Sequence, residues 1–197
     1  MPKRMTEAAE GEFYHVFNRG ALRTSLFYST PMYHLFITMM HHFAESCGIT
    51  LVAVCLMPNH FHMLIRVGKD GKVDRFMRLL CGGYSRRVNG ILRRTGTIYE
   101  GRFHIKHVST DNYFRCLCKY IHLNPVKAAL ADHPTKWNYS NYLECTGSRK
   151  LFHTDHQFIT KMFGSVRRYE AFVMENIHST KIEDENLAKD LADMRLV

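Results

Sequence analysis

"TLVAVCLMPNHFHMLIRV", residues 50–67, is a pair of apolar runs divided by Pro58 and Asn59. Proline followed by asparagine breaks regular structure and favours a tight turn, so the two runs read as an antiparallel hairpin. Side chains alternate faces along a strand, which sends His60 and His62 to one side and Phe61 to the other. A strand this apolar is built for a core, and two imidazoles on one of its faces need a separate reason.

Working outward, "EFYHVFNRG" (12–20) is aromatic and β-branched and closes on a glycine, the pattern of a strand running into a loop. Between Pro31 and Cys47, Leu35, Phe36, Met39, Met40 and Phe43 recur at helical spacing, with Pro31 suited to a helix start and Gly48 to a stop. Beyond the hairpin, Asp74 can cap a second helix reaching about Arg94, with Gly82 and Gly83 inside it marking a bend or a close backbone approach. "TIYEGRFHIKHV" (97–108) gives a further strand. Asp111 can cap a third helix, "DNYFRCLCKYIHLN", which is expected to end near Asn124 because Pro125 disfavours helical geometry in the residue before it.

The order is strand, helix, strand, strand, helix, strand, helix. Its first six elements predict an α+β chain with a ferredoxin-like split βαβ antiparallel sheet, both crossover helices on one face. The seventh adds a helix, and Val166, Tyr169, Val173 and Ile177 continue helical spacing into a C-terminal tail. We divide the chain into a main unit over 11–145 and a helical extension over 150–197. Residues 181–197 hold five acids and three bases, so the extension ends acidic.

The formal charge of +9 is concentrated elsewhere. Between residues 75 and 106 stand Arg75, Arg78, Arg86, Arg87, Arg93, Arg94, Arg102 and Lys106 against the single acid Glu100, a net of +7. Such a field attracts polyanions, and arginine suits planar phosphate recognition, so nucleic acid is the leading partner and a solvated basic face the plainer one. Six cysteines show no CxxC pair, no apolar segment of signal-peptide length opens the chain, and no run is long enough to span a bilayer. A reduced, cytoplasmic protein away from membranes is the expectation.

Paired imidazoles on one strand face are natural metal ligands, though two ordinary sheet histidines compete with that reading in a chain holding thirteen. Tyr120 and Asn124 lie four residues apart on the third helix, about 40° apart in projection, so they can converge on one place. An amide oxygen with two imidazoles and open water positions suits Mg²⁺ or Mn²⁺. A helix-terminal asparagine set before proline is the competing account of Asn124.

"FYHVFNRG", "LMPNHFHMLI", "YEGRFHIKHV", "YIHLNPVKA" and "WNYSNY", in that order, resemble the characteristic segments of the HUH single-tyrosine (IS200-like) transposases, especially the REP-associated tyrosine transposases. The likeness covers most of residues 11–145. It implies that His60, His62 and Asn124 hold Mg²⁺ or Mn²⁺ and that Tyr120 is the nucleophile. It also implies cleavage and rejoining of single-stranded DNA through a 5′-phosphotyrosine, on hairpin-flanked DNA, by a monomer or a homodimer. Arg19, Arg23, Arg86, Arg87, Arg93, Arg94, Arg102 and Lys106 are the expected DNA contacts.

Tyr113, seven residues before Tyr120, is the better-placed spare nucleophile; Tyr84, Tyr99, Tyr139 and Tyr142 read as packing or stacking residues, and His122 as structural or a DNA contact. His104 and His107 depart from the family pattern. Two other functions compete. Split βαβ sheets also serve as noncatalytic nucleic-acid-binding modules, and a metal-dependent hydrolase could use Tyr120 only as support.

Overall fold

The computed structural model describes residues 8–153, 157–177 and 182–193. Its elements are β1 (Phe13–Arg19), α1 (Thr30–Ser46), β2 (Ile49–Met57), β3 (His60–Val67), α2 (Val73–Ile91), β4 (His104–His107), α3 (Asp111–Lys127), α4 (Tyr142–Cys145), α5 (Gln157–Phe163), α6 (Val166–Met174) and α7 (Glu185–Asp193). The four strands form one antiparallel sheet in the order β2-β3-β1-β4, the split βαβ topology expected of the sequence. Met57 pairs with His60, so Pro58 and Asn59 alone make the hairpin turn.

Each face of the sheet owns a core. Val16, Phe61, Met63 and Ile65 pack with α1 and α2, while Phe17, Leu64, Cys55 and Ala53 pack with α3 and the C-terminal helices. The two crossover helices share the first face and close tightly, since a side chain at Gly83 would meet Met39 Cε at 2.7 Å. Gly48 stops α1 with φ +65, a conformation that L side chains rarely adopt.

Four local readings are corrected. Lys72 stands at the N-cap of α2, with Asp74 inside its first turn, and the helix ends at Ile91, before Arg94. Thr110, not Asp111, caps α3, accepting a hydrogen bond from the Tyr113 amide at 3.1 Å. The segment 97–108 is mostly loop, with only His104–His107 in the sheet. Finally, α3 does not stop at Asn124. It runs through Pro125 to Lys127, because a proline removes one amide but leaves the carbonyl of Asn124 free to close the last turn with Ala128 N at 3.0 Å.

After α3 the chain returns along the open edge of β2. Tyr139 O accepts from Leu56 N, Asn141 N donates to Val54 O, and the Asn141 amide bonds Val54 N and Val52 O at 2.6 and 2.9 Å. An edge of unpaired backbone groups is thereby covered. In the extension Ile177 lies beyond the end of α6, and of the acidic stretch 181–197 only residues 182–193 are described.

Candidate active site

The second face of the sheet, under α3, is where the histidines point. His60 opens β3, paired with Arg19 and Met57, and His62 pairs with Phe17 and Cys55. Their ring centroids are 5.1 Å apart with planes at 82°. From α3, Tyr120 sets its ring edge-on to His62 at 5.3 Å, and Asn124 brings its Oδ1 to 3.4 Å from His60 Nε2. Strand alternation and one helical turn thus bring His60, His62, Tyr120 and Asn124 together.

The hydrogen bonds fix which atoms face one another. Asn59 Nδ2 donates to Arg23 O at 3.3 Å, which leaves Asn59 Oδ1 to accept from His60 Nδ1 at 2.7 Å. The proton of a neutral His60 therefore sits on Nδ1, and Nε2 is a bare lone pair. Asn124 Nδ2 donates to Tyr120 O at 3.1 Å, which turns Asn124 Oδ1 toward that lone pair. Two acceptors face each other. A third, His62 Nε2, is buried without a hydrogen-bond partner among the described residues.

Protons do not resolve this conflict at neutral pH. Burial lowers His60 to about 4 and puts His62 well below its ordinary range, with the neighbouring imidazole adding to the effect. Both stay neutral, the form that binds metals. Convergent imidazole nitrogens and an amide oxygen are a donor set that fits a divalent cation, with no thiolate among them. Among the described residues no group of three or more His, Cys, Asp and Glu gathers to hold a metal, so these three donors would leave coordination positions for water or phosphate.

Behind them stands a residue the sequence did not single out. His15, fully buried on β1, places Nε2 2.9 Å from His62 Nδ1, with the rings stacked at 5.2 Å. If His15 accepts there, His62 carries its proton on Nδ1 and keeps Nε2 bare, the outer contact that orients a metal-bound imidazole. Burial lowers His15 to about 3, which preserves a neutral acceptor.

Tyr120 is 9% exposed, and burial pushes its phenol up to about 12 while the Asn124 amide works the other way. Because α3 continues past Pro125, Lys127 shares a face with Tyr120 and holds Nζ 5.7 Å from its ring centroid. A helix ending at Asn124, as the sequence suggests, would have left Lys127 outside α3. A narrow pocket beside them is completed by Lys119 and, from the C-terminal extension, by Asn176, Ile182 and Glu183.

The competing tyrosines have other employment. Tyr113 donates to Asp190 at 2.6 Å, Tyr84 donates to Leu26 O at 2.8 Å, Tyr139 stacks on Tyr33 at 3.6 Å, and Tyr142 is buried. His122 is structural: Nε2 donates to Asn141 Oδ1 at 2.8 Å and Nδ1 accepts from the Tyr169 hydroxyl. Of the expected DNA contacts, Arg23, Arg86, Arg87, Arg93 and Arg94 are exposed. Arg19 pairs with Glu100 at 2.6 Å, Arg102 with Asp74 at 3.0 Å, and Lys106 with Asp190 at 2.8 Å.

Comparison with known proteins adds a family. The family model described as "Transposase IS200 like" matches residues 10–124, more than half of the chain. The structure of a REP-associated tyrosine transposase bound to a REP hairpin aligns with a TM-score of 0.62 at 17% identity, over 79% of this chain and 93% of that one. That likeness is one of fold. A crystal structure of a candidate transposase from Deinococcus radiodurans R1 aligns less well, with a TM-score of 0.43 at 17% identity, over 58% of this chain and 92% of that one. No curated protein sequence matches.

Proposed function

The chain belongs to the IS200-like transposase family, and on that premise we propose that it cuts and rejoins single-stranded DNA, on hairpin-flanked sequence, by way of Tyr120. Residues 11–145 form the catalytic unit and 150–197 its helical extension. The observation that carries the reading is the meeting of three neutral acceptors, His60 Nε2, His62 Nε2 and Asn124 Oδ1, beside one tyrosine on a shared sheet face.

In the cleavage step the Tyr120 hydroxyl oxygen bonds to the scissile phosphorus while the bond from phosphorus to the 3′ oxygen breaks. The products are a 5′-phosphotyrosine and a strand ending in 3′-OH, with the phenolic proton balanced by the one the leaving oxygen gains. Reversal by the same or another 3′-OH reseals DNA. The phosphodiester is exchanged for a phosphotyrosyl ester, so no outside energy source is needed.

A phenol held near 12 does not ionise by itself at neutral pH. Lys127 counters this by placing an ammonium over the ring, which favours the phenolate as it develops. His60, His62 and Asn124 would hold a divalent ion, which would supply positive charge to the phosphate oxygens. Asn59 holds His60 in the tautomer that such binding requires, and His15 would do the same for His62 by accepting from its Nδ1–H.

The test uses single-stranded and hairpin oligonucleotides taken from beside the chain's own gene, with Mg²⁺ or Mn²⁺, run on denaturing gels. Wild-type protein is expected to become covalently joined to DNA. Tyr120→Phe is expected to bind DNA as before and form no adduct. Freely released ends without an adduct would favour the hydrolase, and binding without cleavage by wild-type protein would favour the noncatalytic module.

A further inference from the structure

On the opposite side of the sheet from the histidines, an open cleft of about 700 Å³ separates α2 from the loop 97–103. Arg75, Arg78 and Arg102 stand around it with Lys72, against the lone acid Asp74. Phe103, half-buried, forms an aromatic wall, with the Arg102 guanidinium 5.6 Å from its ring centroid. Asn18 and Tyr99 lie deeper, both nearly inaccessible to solvent. This volume is ordinary for a small-molecule pocket, but the charge around it calls for an anion.

Under the floor of the cleft lies an unsatisfied polar group. The Tyr99 hydroxyl is buried with no hydrogen-bond partner among the described residues. Its polar neighbour is the Cys81 thiol, a pairing that falls short of hydrogen-bond geometry and that offers only a weak acceptor. A buried hydroxyl left unpaired costs stability, and a ligand that reaches it recovers that cost.

The cleft and the candidate active site lie on opposite faces of the sheet at the same end of β1. Asn18 and Arg19 are neighbours on β1 and point to opposite faces; Asn18 donates to Gly101 O at 3.3 Å, and Arg19 binds Glu100 on the histidine side. The loop is fastened over the end of β1 by Glu100 N to Arg19 O at 2.9 Å and by Ala21 N to Ile98 O at 3.0 Å. A strand passing over this end would have one nucleotide at the cleft while a phosphate farther along lay near His60.

Resting on the reading of the chain as a DNA strand transferase, we propose that this cleft seats one unpaired nucleotide of the DNA strand. Its base stacks on Phe103 and reaches Tyr99, and its phosphates lie among Arg75, Arg78 and Arg102. A base locked in a duplex cannot enter such a concave site, whereas an unstacked base can, and stacking on an aromatic ring within a basic groove is the general physics of single-strand binding.

The experiment uses full-length wild-type protein without divalent ions, so that no strand is cut. A mixed-sequence single-stranded oligonucleotide carrying 5-iodouracil is bound, irradiated and mapped by mass spectrometry, with adduct formation in Mn²⁺ measured separately. Crosslinks in 97–103 or 72–85 are expected, and Phe103→Ala is expected to weaken single-strand binding about tenfold while changing duplex binding little. Crosslinks confined to other segments overturn the proposal. Should no crosslink form, unchanged single-strand affinity in both Phe103→Ala and Arg78→Ala overturns it. In either case a wild-type chain that still forms the Tyr120 adduct leaves the strand-transfer reading standing. A wild-type chain that binds no DNA overturns both.

Discussion

His15 makes its contribution through a neighbour. Its Nε2 lies 2.9 Å from His62 Nδ1, deep in the sheet, where neither ring meets solvent. Replacing His15 with Ala is expected to leave His62 in place but free to take the other tautomer or to turn. Divalent-ion affinity should then fall by roughly 10- to 100-fold, as outer-contact losses at metal sites do. Mn²⁺ titration followed by the free-ion signal measures this, and unchanged affinity would remove His15 from the site.

That His60 and His62 share a strand face and Tyr120 and Asn124 a helix face was legible before any coordinates, because strand alternation and helical spacing are local rules; joining the four into one site took the family resemblance. His15 was not: it meets His62 across two strands 47 residues apart in sequence, and only the sheet register reveals that. Lys127 was hidden for another reason. The general bias against helix before proline is real, but in α3 the proline lies near the end, one amide is lost, and the final turn still closes from Ala128 N to Asn124 O.

At the scale of elements, α3 is held by more than its fit to the sheet. His122 ties it to α6 through Tyr169 and to the edge strand β2 through Asn141, whose oxygen also accepts from Val54 N. This buried junction requires neutral imidazole, and burial lowers His122 to about 4, partly opposed by the Asn141 bond. The unfolded chain takes up the His122 proton below about pH 6.5 and the folded chain only near 4. Unfolded protein therefore binds more protons in that window, and stability must fall as pH drops through it.

One such group contributes a slope of about 1.4 kcal/mol per pH unit. Urea unfolding from pH 6.5 down to pH 4 should show His122→Asn to be less stable at neutral pH but less acid-sensitive by about that slope. Parallel curves for variant and wild type would contradict a neutral His122. The element order itself followed from periodicity and breakers, since long amphipathic runs declare themselves. The caps were harder to place: Thr110 and Asp111 are adjacent and both chemically suited, and only backbone geometry selects between them.

Over the whole molecule the charges are segregated. Arg86, Arg87, Arg93 and Arg94 lie exposed at the far end of α2 and just beyond it, while Glu183, Asp184 and Asp190 of the C-terminal extension engage Lys119, Asn112, Tyr113 and Lys106 around α3 and β4. Composition predicted the basic stretch and the acidic end, but not that Arg19, Arg102 and Lys106 have carboxylate partners within the chain. Those pairs bring together residues 28 to 84 positions apart, beyond the reach of any local pattern. Six of the eight expected DNA contacts are exposed, and five of them, Arg23, Arg86, Arg87, Arg93 and Arg94, lie outside these carboxylate pairs while Arg102 is exposed within its pair.

Counterion release then gives a test at this scale. Each phosphate neutralised on single-stranded DNA contributes about −0.7 to the slope of log affinity against log salt. Changing Arg86, Arg87, Arg93 and Arg94 together to Gln is expected to flatten that slope by roughly 3 if all four reach phosphates. None is placed in a core, so the thermal transition should move little. A lower affinity with the wild-type slope would mean that these arginines set the overall field without touching the backbone. An unchanged affinity and slope would move the DNA path off this end of α2 and onto the cleft and the histidine face alone.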